Sequence, residues 1–125
     1  MTDRQLTILA ALNLMVAVGA GAFGAHGLKR MITPELLAVW QTGVLYHLLH
    51  GLGLFAVALL GARYGSPLLS AAGVVMFVGI VLFSGSLYVL SLTGTHWLGA
   101  VTPFGGAAFL ASWAMVALAA YRAQG

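Results

Sequence analysis

Cysteine is absent from this sequence, and acidic residues number only two, Asp3 and Glu35. The first absence excludes disulfides, thiolate nucleophiles and cysteine-ligated metals. The second excludes the paired carboxylates of general acid–base chemistry, and there is no nucleophile elbow or phosphate loop. Charge of either sign is scarce, 6% of the residues against roughly a quarter in soluble domains. The five basic residues are scattered and form no run, so nucleic acid is not an expected partner.

What remains is apolar: 62% of the 125 residues are hydrophobic and mean hydropathy is +1.04. Too few charges are present to coat a water-facing surface, whereas lipid removes the need for one. Four apolar segments, at about residues 6–25, 36–61, 67–92 and 100–121, each reach the roughly 20 residues that cross a bilayer. They are too long, and too free of period-two alternation, to be barrel strands. The separators are short, so sequential neighbours run antiparallel. The expectation is an all-α integral membrane protein, one domain built as an antiparallel up-and-down bundle of four transmembrane helices.

The first segment also has features of a signal peptide, a charged start and small residues at Ala20–Ala25, but its apolar run is too long for one. Arg4, Arg63 and Arg122 would share one side and Lys29 and Arg30 the other, a small bias that puts both termini in the cytoplasm.

Hairpin parity brings the end of helix one, the start of helix two, the end of helix three and the start of helix four to one face. His26, Thr42, Ser84, Ser86, Tyr88 and Thr102 fall there, with Tyr46 and His50 deeper along helix two. Thr42, Tyr46 and His50 recur at i, i+4 and i+8 and share a stripe, with His47 at its margin. Unpartnered polar groups are costly in lipid, so this stripe should face protein. These eight residues form the candidate polar site, for a solute, headgroup or proton. The plainer reading is that they are interhelical hydrogen bonds holding the bundle.

Gly21, Gly24, Gly43, Gly85, Gly105 and Gly106 are the candidate packing positions, where a neighbouring backbone could approach closely. Thr102-Pro103 resembles a helix start, with Thr102 as cap and Pro103 in the first turn. Such a start could hold an anion or simply begin a helix. No cofactor and no metal centre are expected. His47 and His50 could both approach an ion, but nothing except Glu35 could complete the ligand set. Ser84 or Ser86 beside a histidine lacks the orienting third group of a hydrolase, so no catalytic residue is assigned.

The motifs GAFGAHGLK, Thr42-Gly43-Val44-Leu45-Tyr46 with His50, FSGSLY with LTG, and TPFGG with Trp113 resemble domain-of-unknown-function family 423. These are small bacterial inner-membrane proteins with transmembrane-protein-256-like mitochondrial relatives in animals. The likeness runs from about Leu12 to Trp113, in order and spacing. It implies four transmembrane helices and an inner (plasma) membrane location, and it brings no activity with it. His47 departs from the family pattern, where glutamine or another uncharged residue is expected.

Abundant small residues beside few ionisable groups point to a non-enzymatic scaffold. Its expected partners are membrane lipids and either copies of itself or a larger membrane complex. The alternative is binding or translocation of a small solute, lipid headgroup or proton at the polar site.

Overall fold

The computed structural model describes residues 1–123. Helix boundaries follow local chemistry. Thr2 and Gln5 cap α1 (Asp3–Ala25) reciprocally, each side chain satisfying the other's backbone N–H. A 3₁₀ turn at Leu28–Arg30 leads to Thr33, whose hydroxyl accepts from the Leu36 N–H and opens α2 (Pro34–Tyr64) with proline in its first turn. Gly65, at φ 64°, ends α2 in the left-handed conformation that L side chains rarely adopt. Ser66-Pro67 repeats the cap–proline device to begin α3 (Pro67–Ile80).

The third span is not one regular helix. After α3 the chain forms a π turn at Val81–Gly85 and resumes as α4 (Ser86–Thr93), which Gly94 ends at φ 70°. A 3₁₀ turn, His96–Ala100, precedes α5 (Thr102–Arg122). Against the expected spans, α1 starts earlier, α2 extends at both ends, the third is interrupted, and the fourth, α5, begins only at Thr102 after its 3₁₀ turn. Four helical spans remain long and apolar enough to cross a membrane, and among the described residues there is no strand.

The order is antiparallel. Trp40 near the start of α2 donates to the Ala20 carbonyl near the end of α1, 2.8 Å away, while Asp3 at the start of α1 lies against Gly61 at the end of α2. Tyr88 of α4 packs on Trp40 with ring centroids 4.5 Å apart, and Ser86 meets Thr102 at the start of α5. Within this arrangement α2 is the most buried span, α1 packs chiefly on α2, and α5 packs chiefly on α3 and the π turn.

Two apolar clusters fill the interior. Leu6, Leu54, Leu69 and Met76 belong to one, towards the Gly65 end; Leu28, Trp40 and Val44 form the other. Asn13, His47, His50 and Ser84 are buried about midway along their spans. This middle layer organises the candidate site.

Candidate functional site

α2 places Tyr46 and His50 one turn apart. The His50 Nδ1 lies 2.8 Å from the Tyr46 carbonyl, which can only accept, so this nitrogen carries the proton. The other nitrogen, Nε2, then has a lone pair and accepts the Trp113 indole N–H at 3.0 Å. An indole nitrogen can only donate, so the two bonds together assign the neutral tautomer. The imidazole lies flat on Phe109, ring centroids 3.5 Å apart and planes 8° from parallel. With both nitrogens engaged, His50 has no lone pair to give a metal.

Beside it, Tyr46 packs on Phe83 at 4.5 Å between centroids. These rings form the wall of a cavity of about 600 Å³ between α2 and α5, which continues past Gly106 and Ala107 to Pro103. The Tyr46 hydroxyl hydrogen-bonds to none of the described residues and the side chain is 37% exposed.

On the other side of α2, His47 is the centre of a separate chain. Asn13 donates through Nδ2 to the Leu9 carbonyl at 2.9 Å, which turns its Oδ1 towards His47 Nε2, 3.1 Å away. His47 Nε2–H donates to that oxygen, and His47 Nδ1 accepts the Tyr88 hydroxyl at 2.9 Å. The chain Tyr88–His47–Asn13 thereby ties α4 to α2 to α1. Crevices of about 240 Å³ each flank it, one lined by Ser84, Gly85 and Tyr88, the other by Leu9, Leu12 and Phe77. Gly43 makes the approach of Tyr88 possible, since a Cβ there would stand 3.0 Å from the ring.

The hydroxyls near the π turn serve backbone. Fully buried Ser84 donates to the Gly43 carbonyl of α2 at 2.7 Å. Ser86 donates to the Phe83 carbonyl at 2.9 Å and shares a 2.6 Å hydrogen bond with Thr102. Thr102 therefore does not cap α5 as the sequence suggests: Val101 holds the cap position, and no side chain caps it.

The eight polar residues taken from the sequence thus do not form one pocket. Tyr46 and His50 face the α5 groove, Tyr88 joins His47, and Ser84, Ser86 and Thr102 stitch the π turn to its neighbours. His26 and Thr42 are exposed, and each bonds to a carbonyl of its own helix, Ala22 at 2.8 Å and Ala38 at 3.1 Å. Because i−4 back-bonding satisfies a side chain without a second helix, these two had no need of the shared face.

The packing glycines divide too. Added Cβ atoms would stand 3.3 Å from Val44 at Gly21 and 2.8 Å from Trp40 at Gly24, and at Gly105 one would run into the backbone of Phe83. Gly106 has only a 4.0 Å neighbour, and Gly85 faces open space, a correction to its place among the packing positions. Asn13, His47 and Trp113 were not among the site residues taken from the sequence. Asn13 had left a signal, a lone amide midway along an apolar run. His47 was visible only as a stripe margin, and nothing in the sequence marked the meeting of Trp113 with His50. Among the described residues no three histidine or carboxylate side chains gather as metal ligands.

The family profile described as "Protein of unknown function (DUF423)" matches residues 20–106, the stretch that contains the Trp40–Ala20 contact, the π turn and the start of α5. The chain belongs to DUF423. Its similar relatives include the UPF0382 membrane protein YwdK of Bacillus subtilis, 55% identical over 116 residues, covering 92% of this chain and 94% of the relative. A UPF0382 membrane protein of Staphylococcus saprophyticus is 44% identical over 115 residues, covering 92% and 95%. Another, of Staphylococcus aureus strain USA300, is 45% identical over 118 residues, covering 94% and 96%. No solved structure matches. These DUF423 relatives are named as membrane proteins, in agreement with four spanning helices here.

Proposed function

We propose that this DUF423 protein is a non-enzymatic membrane scaffold, associating with copies of itself or serving as an accessory subunit of a larger membrane complex. One observation carries this reading. Among the described residues, every buried side-chain nitrogen and oxygen has a hydrogen-bond partner, so the middle-layer groups are occupied in holding helices together. A nucleophile or general base has to be free to reach a substrate. Here Ser84 is committed to Gly43, and both histidines at this depth are committed on both nitrogens.

α1 and α5 then offer the outer faces for association. Leu12, Met15 and Val18 on α1 and Leu118 and Tyr121 on α5 point away from the bundle, with Gly19 carrying no close neighbour. The membrane we assign is the bacterial plasma membrane, with the Arg4, Arg63 and Arg122 side cytoplasmic. Native mass spectrometry of protein released from nanodiscs tests association: dimers, higher oligomers or a stoichiometric partner are expected. A bare monomer across detergents and lipid compositions would refute it.

Binding of a solute or proton at a single polar site on the first-loop face is less well supported, because the residues invoked are dispersed. One part of that set, Tyr46 beside His50, retains an unfilled hydrogen bond next to a cavity.

A further inference from the structure

We propose that the groove between α2 and α5 binds a membrane-dissolved quinone, a flat carbonyl-bearing ring on a long apolar tail. This stands apart from the association reading, which concerns the outer helix faces. The cavity is about 600 Å³, within the roughly 300–1,000 Å³ of small-molecule sites. Small residues at Gly106 and Ala107 open it between Pro103 and Leu110. Its walls are aromatic: Tyr46, Phe83, Phe109 and Trp113, with the His50 ring laid parallel on Phe109. Flat rings stack on such walls.

The polar atoms of the groove narrow the occupant further. His50 and Trp113 satisfy each other, which leaves the Tyr46 hydroxyl as the donor without a partner. In hydrocarbon that hydroxyl needs an acceptor. Tyr46 lies about 18 Å along α2 from Pro34 and about 27 Å from Tyr64, at about 1.5 Å per residue, so a core about 30 Å thick centred on this helix encloses it. Phospholipid ester carbonyls stay at the interface, about 10 Å further out than the Tyr46 backbone. A quinone ring can lie at this depth, present a carbonyl to Tyr46 and stack on the aromatic wall, while its tail follows the small-residue channel.

The test uses the full chain carrying Trp97→Phe, which removes an exposed indole outside the groove, in phospholipid nanodiscs doped with increasing mole fractions of an isoprenoid naphthoquinone. Saturable quenching of tryptophan fluorescence is expected. Tyr46→Phe should weaken it about tenfold, the scale of one lost hydrogen bond. Ala107→Phe, a change at an exposed position that fills the channel, should abolish saturation without altering thermal unfolding. Quenching that rises in proportion to mole fraction and is equal in all variants overturns the proposal. So does equal saturation by a brominated phospholipid, which would make the groove a tail site. If Ala107→Phe instead lowers the particle mass, the groove is an interface between copies, and the quinone assignment fails while association survives.

Discussion

At the scale of single residues, the glycines separate into those that permit contact and those that do not. A Cβ at Gly105 meets the backbone of Phe83, which cannot rotate aside as a side chain could, whereas a Cβ at Gly85 meets nothing within 4 Å. Gly105→Ala should therefore destabilise the fold by about 1–3 kcal/mol, the usual scale of overpacking. Gly85→Ala should change stability by no more than about 1 kcal/mol, in the stabilising direction. Reversible unfolding in mixed micelles, measured for both variants together, distinguishes them. Both glycines stand in motifs legible in the sequence, but motif membership does not say which side of the helix meets a neighbour; Gly85, in the π turn, lines a crevice with room for a Cβ.

His47 gives the complementary case. Replacing it with leucine leaves the Asn13 Oδ1 and the Tyr88 hydroxyl without their shared partner, at a cost of about 1–3 kcal/mol for each buried group left unpaired. His47→Gln keeps one donor and one acceptor and should lose less than half as much in the same unfolding measurement. The sequence made His47 look like an exception; the structure makes it the bridge between three helices. Its importance was illegible because both partners, at positions 13 and 88, come from spans distant in sequence.

At the scale of elements, the π turn at Val81–Gly85 sets the register of everything after it. One extra residue in a turn advances the chain without adding a full helical step, so removing one residue there restores regular helix. Deleting Leu82 should leave the Tyr88–His47 and Ser86–Thr102 partners in register. Deleting Val74 instead, in the regular part of α3, rotates the downstream half by about 100° and separates them. Cross-linking between cysteines replacing Ser86 and Thr102, whose hydroxyl oxygens lie 2.6 Å apart between α4 and α5, reads the outcome: retained in the first deletion and lost in the second. Four long apolar segments and their caps, such as Thr33-Pro34 and Ser66-Pro67, were legible because each depends on neighbours in sequence. The π turn was not, although Ser84-Gly85-Ser86 is the kind of small-residue run where helices depart from regularity.

At the scale of the whole molecule, hairpin parity does place helix ends together as the short separators require, but the polar groups gather at middle depth between two apolar clusters. Parity follows from counting spans; depth follows from which side chains reach one another, and Trp113 reaching His50 has no local signature. The lack of native cysteine makes the arrangement directly measurable. Lys29→Cys and His96→Cys should react with an impermeant maleimide from the same side of sealed vesicles, and Ser66→Cys from the opposite side. Labelling of residues 29 and 96 from different sides would be incompatible with this fold.

The parallel stack of His50 on Phe109 also supplies an intrinsic magnetic probe. Circulating π electrons shield nuclei held above a benzene face, so the carbon-bound protons of this imidazole should resonate well upfield of those of His26 and His96. Anything that slides into the channel or parts the two rings would move that isolated signal, giving a label-free record of the centre of the molecule.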